Sequence, residues 1–223
     1  ERTPLAVIEW NLNFCVSEWN ASAQRIFGYS REEIIDKSAN VLVPESSHDD
    51  VAKLWMELKN KSGGERSTNE NITKDGRKIL CEWYNTPLID ESGRVIGVAS
   101  LVEDITERVK AEKELNNQKE FLRAVIDTDP NFVFAKDWDG RFTLVNKAVA
   151  ANYNTSKEGL IGKTDSDFNA SAEEVEHFLR DDREVISTGK TKFVPEEMVT
   201  NTVTGETRWY QTIKVPLKAV DGS

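Results

Sequence analysis

The side chains best equipped for chemistry in this sequence are few and far apart. There are two histidines, His48 and His177, and two cysteines, Cys15 and Cys81. An imidazole can hold a metal or move a proton, and a thiolate can attack a substrate or bind zinc, but each needs partners. Neither histidine stands near a cysteine or the other histidine, so a zinc site within one domain is not expected. No G-x-S-x-G, H-E-x-x-H or phosphate-cradling glycine loop occurs, and Gly63-Gly64 is only a pair between more regular runs. Catalysis is therefore not expected of this sequence. The thiols have no C-x-x-C spacing and fall in strand-like runs, which predicts core packing, free cysteines and a reducing, cytoplasmic compartment.

The charge narrows the partners. A net charge of −10 argues against nucleic acid and anionic lipid, both of which demand clustered Lys and Arg. No apolar run approaches the roughly 18 residues that span a bilayer, and no signal peptide opens the sequence. No membrane contact is expected. With 223 residues, 38% hydrophobic and 30% charged, the composition is that of a soluble, ordered protein long enough for two ordinary domains.

The elements that would position any site occur twice. Asn20 to Lys37 and Asn146 to Lys163 read nearly alike, with Ser30 over Ser156, Glu32 over Glu158 and Ile35 over Ile161. The echo continues from Lys74-Asp75-Gly76 and Pro87-Leu88 to Thr204-Gly205-Glu206 and Pro216-Leu217. Solenoid repeats run about 20 to 50 residues, so this much longer period means tandem domains. Each copy opens with a hairpin: Leu5 to Trp10 with Phe14 to Trp19, then Phe132 to Lys136 with Phe142 to Val145 across the Asp139-Gly140 turn. Short helices follow over Ala21 to Phe27 and Arg31 to Ile35, capped by Asn20 and by Ser30 with Glu33 as its box partner. Lys147 to Tyr153 and Lys157 to Ile161 repeat them, capped by Asn146 and Ser156. Longer helices are predicted over Asp49 to Lys59 and Ser171 to Ser187. Strands return over Arg66 to Thr73, Lys78 to Leu88 and Val95 to Val102, and over Thr191 to Val203 and Thr207 to Leu217. Antiparallel strands interrupted once by helices make an α+β domain.

Between the copies, Glu107 to Ile126 alternates Lys and Glu without Pro or Gly. Ile105, Leu115, Leu122 and Ile126 could share a heptad seam, although Arg108, Glu112 and Lys119 would interrupt it. A single exposed helix is the competing reading.

These residues resemble the PAS sensor family. The resemblance rests on Trp19-Asn20-Ala21, Ile26-Phe27-Gly28-Tyr29-Ser30-Arg31-Glu32-Glu33, Lys74-Asp75-Gly76, Pro87-Leu88, Asp90 to Gly93 and Asp104-Ile105-Thr106-Glu107-Arg108. The second copy is similar from Phe132 onward, with Asn154 where the first has Gly28. The resemblance implies two domains, 1–106 and 128–223, joined by a linker helix over 107–127, each a five-stranded antiparallel sheet with helices inserted between strands 2 and 3. The second copy stops at Asp221-Gly222-Ser223, so its last strand, central in such a sheet, is missing. We expect that gap to be filled by another segment or the sheet to be distorted.

The resemblance also implies sites. Pocket walls would include Trp55, Asn69, Ile72, Cys81 and Trp83 in the first copy and Phe178, Phe193, Trp209 and Tyr210 in the second, although large aromatics also fill cores. Of Trp209 and Tyr210, alternation allows only one to face inward. Asp104, Ile105 and Thr106 would relay a signal into the linker helix. No segment resembles the cysteine motif of flavin-binding members. Oxygen-sensing members place a haem-ligating histidine after a V-L-x-P segment, and His48 follows Val41-Leu42-Val43-Pro44 a few residues earlier than that pattern uses. The implied function is a sensory input module of a larger, bacterial signalling protein such as a histidine kinase or a cyclic-dinucleotide enzyme. It would bind a small ligand or partner, form a homodimer and act on an output domain of the same polypeptide. The alternatives are a ligand-free dimerisation module and a haem-based gas sensor.

Overall fold

The computed structural model describes residues 5–61, 64–169, 171–201 and 204–218. The chain divides into two compact units, Glu1–Leu115 and Asn116–Ser223, with the division inside a helix.

In the first unit, β1 (Ala6–Asn11) and β2 (Val16–Trp19) form the opening hairpin. Three helices follow: α1 (Ala21–Phe27), α2 (Arg31–Ile34) and α3 (His48–Asn60). The first two start where side chains satisfy the orphan amides of a first turn. Asn20 accepts from the Ala23 amide, and Ser30 with Glu33 forms a reciprocal capping box. Helix α1 stops at Gly28, whose φ of 82° would strain most other residues. Strands β3 (Arg66–Ile72), β4 (Lys78–Ile89) and β5 (Val95–Asp104) complete an antiparallel sheet in the order β2-β1-β5-β4-β3. Gly97 lets β5 lie against β1, because a Cβ there would stand 2.6 Å from the Trp10 carbonyl oxygen. One face of the sheet is covered. Ala6, Ile8 and Trp10 of β1, Val98 and Val102 of β5, and Cys81 and Trp83 of β4 join Phe27, Leu42, Trp55 and Leu58 in one core.

The second unit repeats the local chemistry. Strands β6 (Phe134–Lys136) and β7 (Phe142–Val145) form its hairpin, after helix α4 (Thr106–Thr128) has carried the chain out of the first sheet. Helices α5 (Lys147–Asn152), α6 (Lys157–Leu160) and α7 (Ala172–Thr188) start at Asn146, Ser156 and Ser171, whose side chains accept from Val149, Gly159 and Glu174 amides. Asn154 takes a φ of 49°, serving where the first copy has glycine. Strands β8 (Lys192–Thr200) and β9 (Thr207–Lys214) pair with each other.

The expected gap is visible here. Hairpin β6-β7 and hairpin β8-β9 are separate two-stranded sheets, with no ladder between them among the described residues. In the first unit β5 lies between β1 and β4, and the second has no counterpart to it among the described residues. Thr202 and Val203, expected to end a strand, and the final Asp221-Gly222-Ser223 lie outside the described residues.

Helix α4 begins at Thr106 and buries none of its residues. Ile105, placed on its apolar seam above, instead packs in the core just before the helix, at 7% exposure. The seam that remains carries Leu115 and Leu122 on the exposed surface.

Candidate functional site

Between α3 and the inner face of the first sheet lies a cavity of about 40 Å³. By the usual allowance that is room for roughly three waters, against about 300 to 1,000 Å³ for sites that hold drug-sized ligands. Its walls follow from strand alternation, which sends residues two apart to one face. Ser67, Asn69 and Asn71 of β3 and Trp83 and Asn85 of β4 line it, with Trp10, Phe14 and Ser100. Helix α3 contributes Val51, Leu54, Trp55 and Leu58, whose three- and four-residue spacing keeps them on its apolar face.

Much of the polar lining is already paired. Trp10 Nε1 donates to Ser100 Oγ at 2.9 Å, and that hydroxyl donates to Asn85 Oδ1 at 2.7 Å. Trp83 Nε1 donates to Asn71 Oδ1 at 3.1 Å, while Asn71 Nδ2 donates to the Leu42 carbonyl at 2.9 Å. Ser67 Oγ is buried at the wall without a hydrogen-bond partner. It can give and take one more bond.

Of the five residues placed at this pocket from sequence, Trp55, Asn69 and Trp83 line it. Ile72 does not, because it is one residue out of phase with Asn69 and Asn71. Cys81 does not either: it packs in the core, where burial pushes its thiol up to about 12, helped by Asp104. Both cysteines are free. Trp10, Phe14, Asn71, Asn85 and Ser100 were missed, although the period of two that links Asn71 to Asn69 and Asn85 to Trp83 is readable. His48 opens α3 one turn before Val51 and is not among the lining residues. A cavity of this size has no room for haem.

The inner face of the second unit is different in kind. Phe178 is buried as expected, at 5% exposure, and Tyr210 turns inward against Phe132 in a tilted ring pair with centroids 4.9 Å apart. Phe193 and Trp209 must be moved, since they are 57% and 65% exposed. Paired with Ile213 and Met198 in the register of β8 and β9, they form an outward apolar stripe. Inside, where the first unit has amides, the second has charges. Lys136 bonds Asp165 at 2.6 Å and Asp182 at 3.2 Å, and Lys214 bonds Asp182 at 2.7 Å and stands 3.3 Å from Glu197. Tyr153 donates to Asp165 at 3.0 Å. Burial would lower the Lys136 ammonium, but Asp165 and Asp182 together raise it above its ordinary value. Burial, with Asp165 beside it, pushes the Tyr153 phenol upward. This chain of charges was not legible in the sequence, because its members come from β6, α7, β8, β9 and a loop.

The residues expected to relay a signal form a clip on β4. The Leu80 amide donates to Thr106 Oγ1 at 2.8 Å, and the Ile105 amide donates to the Leu80 carbonyl at 2.9 Å. Asp104 Oδ1 accepts from both the Thr106 amide at 2.9 Å and its hydroxyl at 2.5 Å. Within the first turn of α4, Arg108 approaches Glu82 at 3.8 Å. Hydrogen bonds from Arg66 and Tyr84 hold that carboxyl below its ordinary value.

Sequence profiles described as the PAS fold match residues 1–105 and 126–223. The chain is a tandem of two PAS domains. Among curated relatives, the virulence sensor protein BvgS of Bordetella pertussis is 32% identical over 113 residues, which is 44% of this chain and 9% of that protein. The bacterioopsin transcriptional activator of Halobacterium salinarum is 27% identical over 109 residues, 48% of this chain and 16% of that protein. The chain thus matches only a small part of either relative's length. Among solved structures, the PAS domain of a Colwellia psychrerythraea protein is 21% identical, covering 47% of this chain and 89% of that one at a TM-score of 0.43. PAS domains are regulatory modules, and among the described residues no helix is long and apolar enough to cross a membrane.

Proposed function

We propose that this PAS pair is the sensory input segment of a larger cytoplasmic signalling protein, in which the first domain senses a very small polar ligand. The observation that carries this reading is that one strand serves both ends. Trp83 and Asn85 of β4 form the cavity wall, while Leu80, three residues before Trp83, is the clip that holds Asp104, Ile105 and Thr106. A ligand that binds one position of β4 better than another shifts the population of the start of α4 by its differential affinity. The output domain, a histidine kinase or another enzyme of the same polypeptide, would follow.

Native mass spectrometry of the purified chain against its denatured mass tests the ligand. Extra mass that disappears in Asn69→Leu supports the reading. A bare mass in every preparation, together with unchanged hydrogen exchange at the Leu80 amide in the cavity-filling Ser67→Leu variant, overturns it.

Self-association is a second reading, favoured by α4. Leu115, Leu122 and Val125 stand 53%, 63% and 50% exposed, and with Gln118 they keep the alternating three- and four-residue spacing of a two-stranded seam. A second copy of this helix would cover them. Light scattering should show a dimer that becomes a monomer in Leu115→Glu/Leu122→Glu; an unchanged mass removes this reading.

A further inference from the structure

The second domain holds a set of metal-ligand atoms that the sensory reading leaves unused. His177 and Asp181 stand one turn apart on α7 and so share a face, and Glu197 comes from β8. His177 Nε2 lies 3.7 Å from Asp181 Oδ2, and one ligand atom from each of the three residues falls within 4.8 Å of the others. Asp181 and Glu197 are 2% and 5% exposed, yet Asp181 Oδ2 and Glu197 Oε1 have no hydrogen-bond partner. A carboxylate oxygen kept from water without a donor is costly, and two of them beside one imidazole nitrogen call for a cation.

The neighbouring lysines do not supply it fully. Lys192 bonds the other oxygen of Asp181, Oδ1, at 3.0 Å. Lys214 stands 3.3 Å from Glu197 Oε1 without making a hydrogen bond, and its own bond is to Asp182 at 2.7 Å. It can keep Asp182 and yield Glu197.

We infer that His177, Asp181 and Glu197 form a binding site for one divalent transition-metal ion of the zinc type. One imidazole and two carboxylates suit such an ion better than the all-oxygen shells of calcium or magnesium. Around a tetrahedral ion with bonds of about 2.0–2.2 Å, ligand atoms stand roughly 3.4 Å apart. The widest separation here therefore closes by a side-chain adjustment of Glu197 or His177. Exposed Arg180 donates to His177 Nδ1 at 2.7 Å, so the ring proton now sits on Nε2, facing Asp181. On binding, that proton moves to Nδ1, Arg180 swings into solvent, and Nε2 takes the metal without net proton release. The His177 side chain is 40% exposed, which gives the ion an entry path and leaves its remaining position to water. The bound ion ties α7 to β8. This site is independent of the first-domain cavity, and either can fail alone.

The test uses the untagged chain, stripped with a chelator and titrated calorimetrically with Zn²⁺. One equivalent should bind, Mg²⁺ should not compete, and Co²⁺ should give a visible ligand-field band. His177→Ala, at a half-exposed position that does not threaten folding, should weaken binding about tenfold or more. Glu197→Gln keeps the side chain's size and should do the same, while His48→Ala should bind as wild type does. Circular dichroism confirms that each variant is folded. Zn²⁺ binding unchanged in folded His177→Ala, or no binding to the wild-type chain at millimolar Zn²⁺, overturns the assignment.

Discussion

At the scale of single residues, the two interiors depend on different kinds of polar group. Asn71 is fully buried and bridges the Trp83 indole and the Leu42 carbonyl. Asn71→Leu strands a donor and an acceptor at once, and each buried orphan costs about 1–3 kcal/mol. Urea unfolding should show the first domain destabilised by about 2–4 kcal/mol. Lys136→Met removes the cation from two buried carboxylates, and breaking a buried pair from one side costs about 3–5 kcal/mol. A loss near that size should appear in the second domain and leave the first unchanged. Trp55, Asn69 and Trp83 were placed through the family resemblance, and they line the cavity on strand and helix faces that repeat with a known period. Ile72 failed by one residue of that same period. The Lys136 network was hidden for another reason: no local pattern announces a pairing between residues as distant in sequence as Lys136 and Asp182.

At the scale of elements, helix starts were the most legible features, because a cap is chemistry between neighbours. Asn20, Ser30, Asn146 and Ser156 all cap the helices expected of them. Sheet closure was less so, being long-range, and only the lack of a counterpart to β5 among the described residues of the second unit could be foreseen. The clip between β4 and α4 gives the sharpest prediction at this scale. Thr106→Val keeps the shape but removes the acceptor of the Leu80 amide and the hydroxyl donor to Asp104. Hydrogen exchange should quicken at Leu80 and over the first turns of α4, with about 1–3 kcal/mol of local stability lost. Exchange that stays at the wild-type rate would remove the clip from the relay.

At the scale of the whole molecule, two cores predict two unfolding transitions rather than one. Acid should act on the second through groups that cost more to protonate when folded. A hydrogen bond from Lys157 holds Asp127 below its ordinary value. Burial would raise Glu174, but bonds from Thr200 and Asn169 outweigh it and bring the group below its ordinary value. The unfolded chain therefore takes up these protons first. Their stabilisation is complete at neutral pH and drains as pH falls through the native values, so the second melting temperature should hold from about pH 8 to 5 and drop below about pH 4.

The placement of the six tryptophans gives each domain its own colour. Trp10, Trp19, Trp55 and Trp83 are 4%, 4%, 6% and 6% exposed in the first, while Trp138 and Trp209 of the second are 51% and 65% exposed. Shielded indoles emit toward the blue and solvated ones toward the red. Fluorescence of the native chain is thus a sum of two bands, and its blue component reports the first domain alone: a red shift marks the opening of that domain, and the unfolding of the second passes almost unseen.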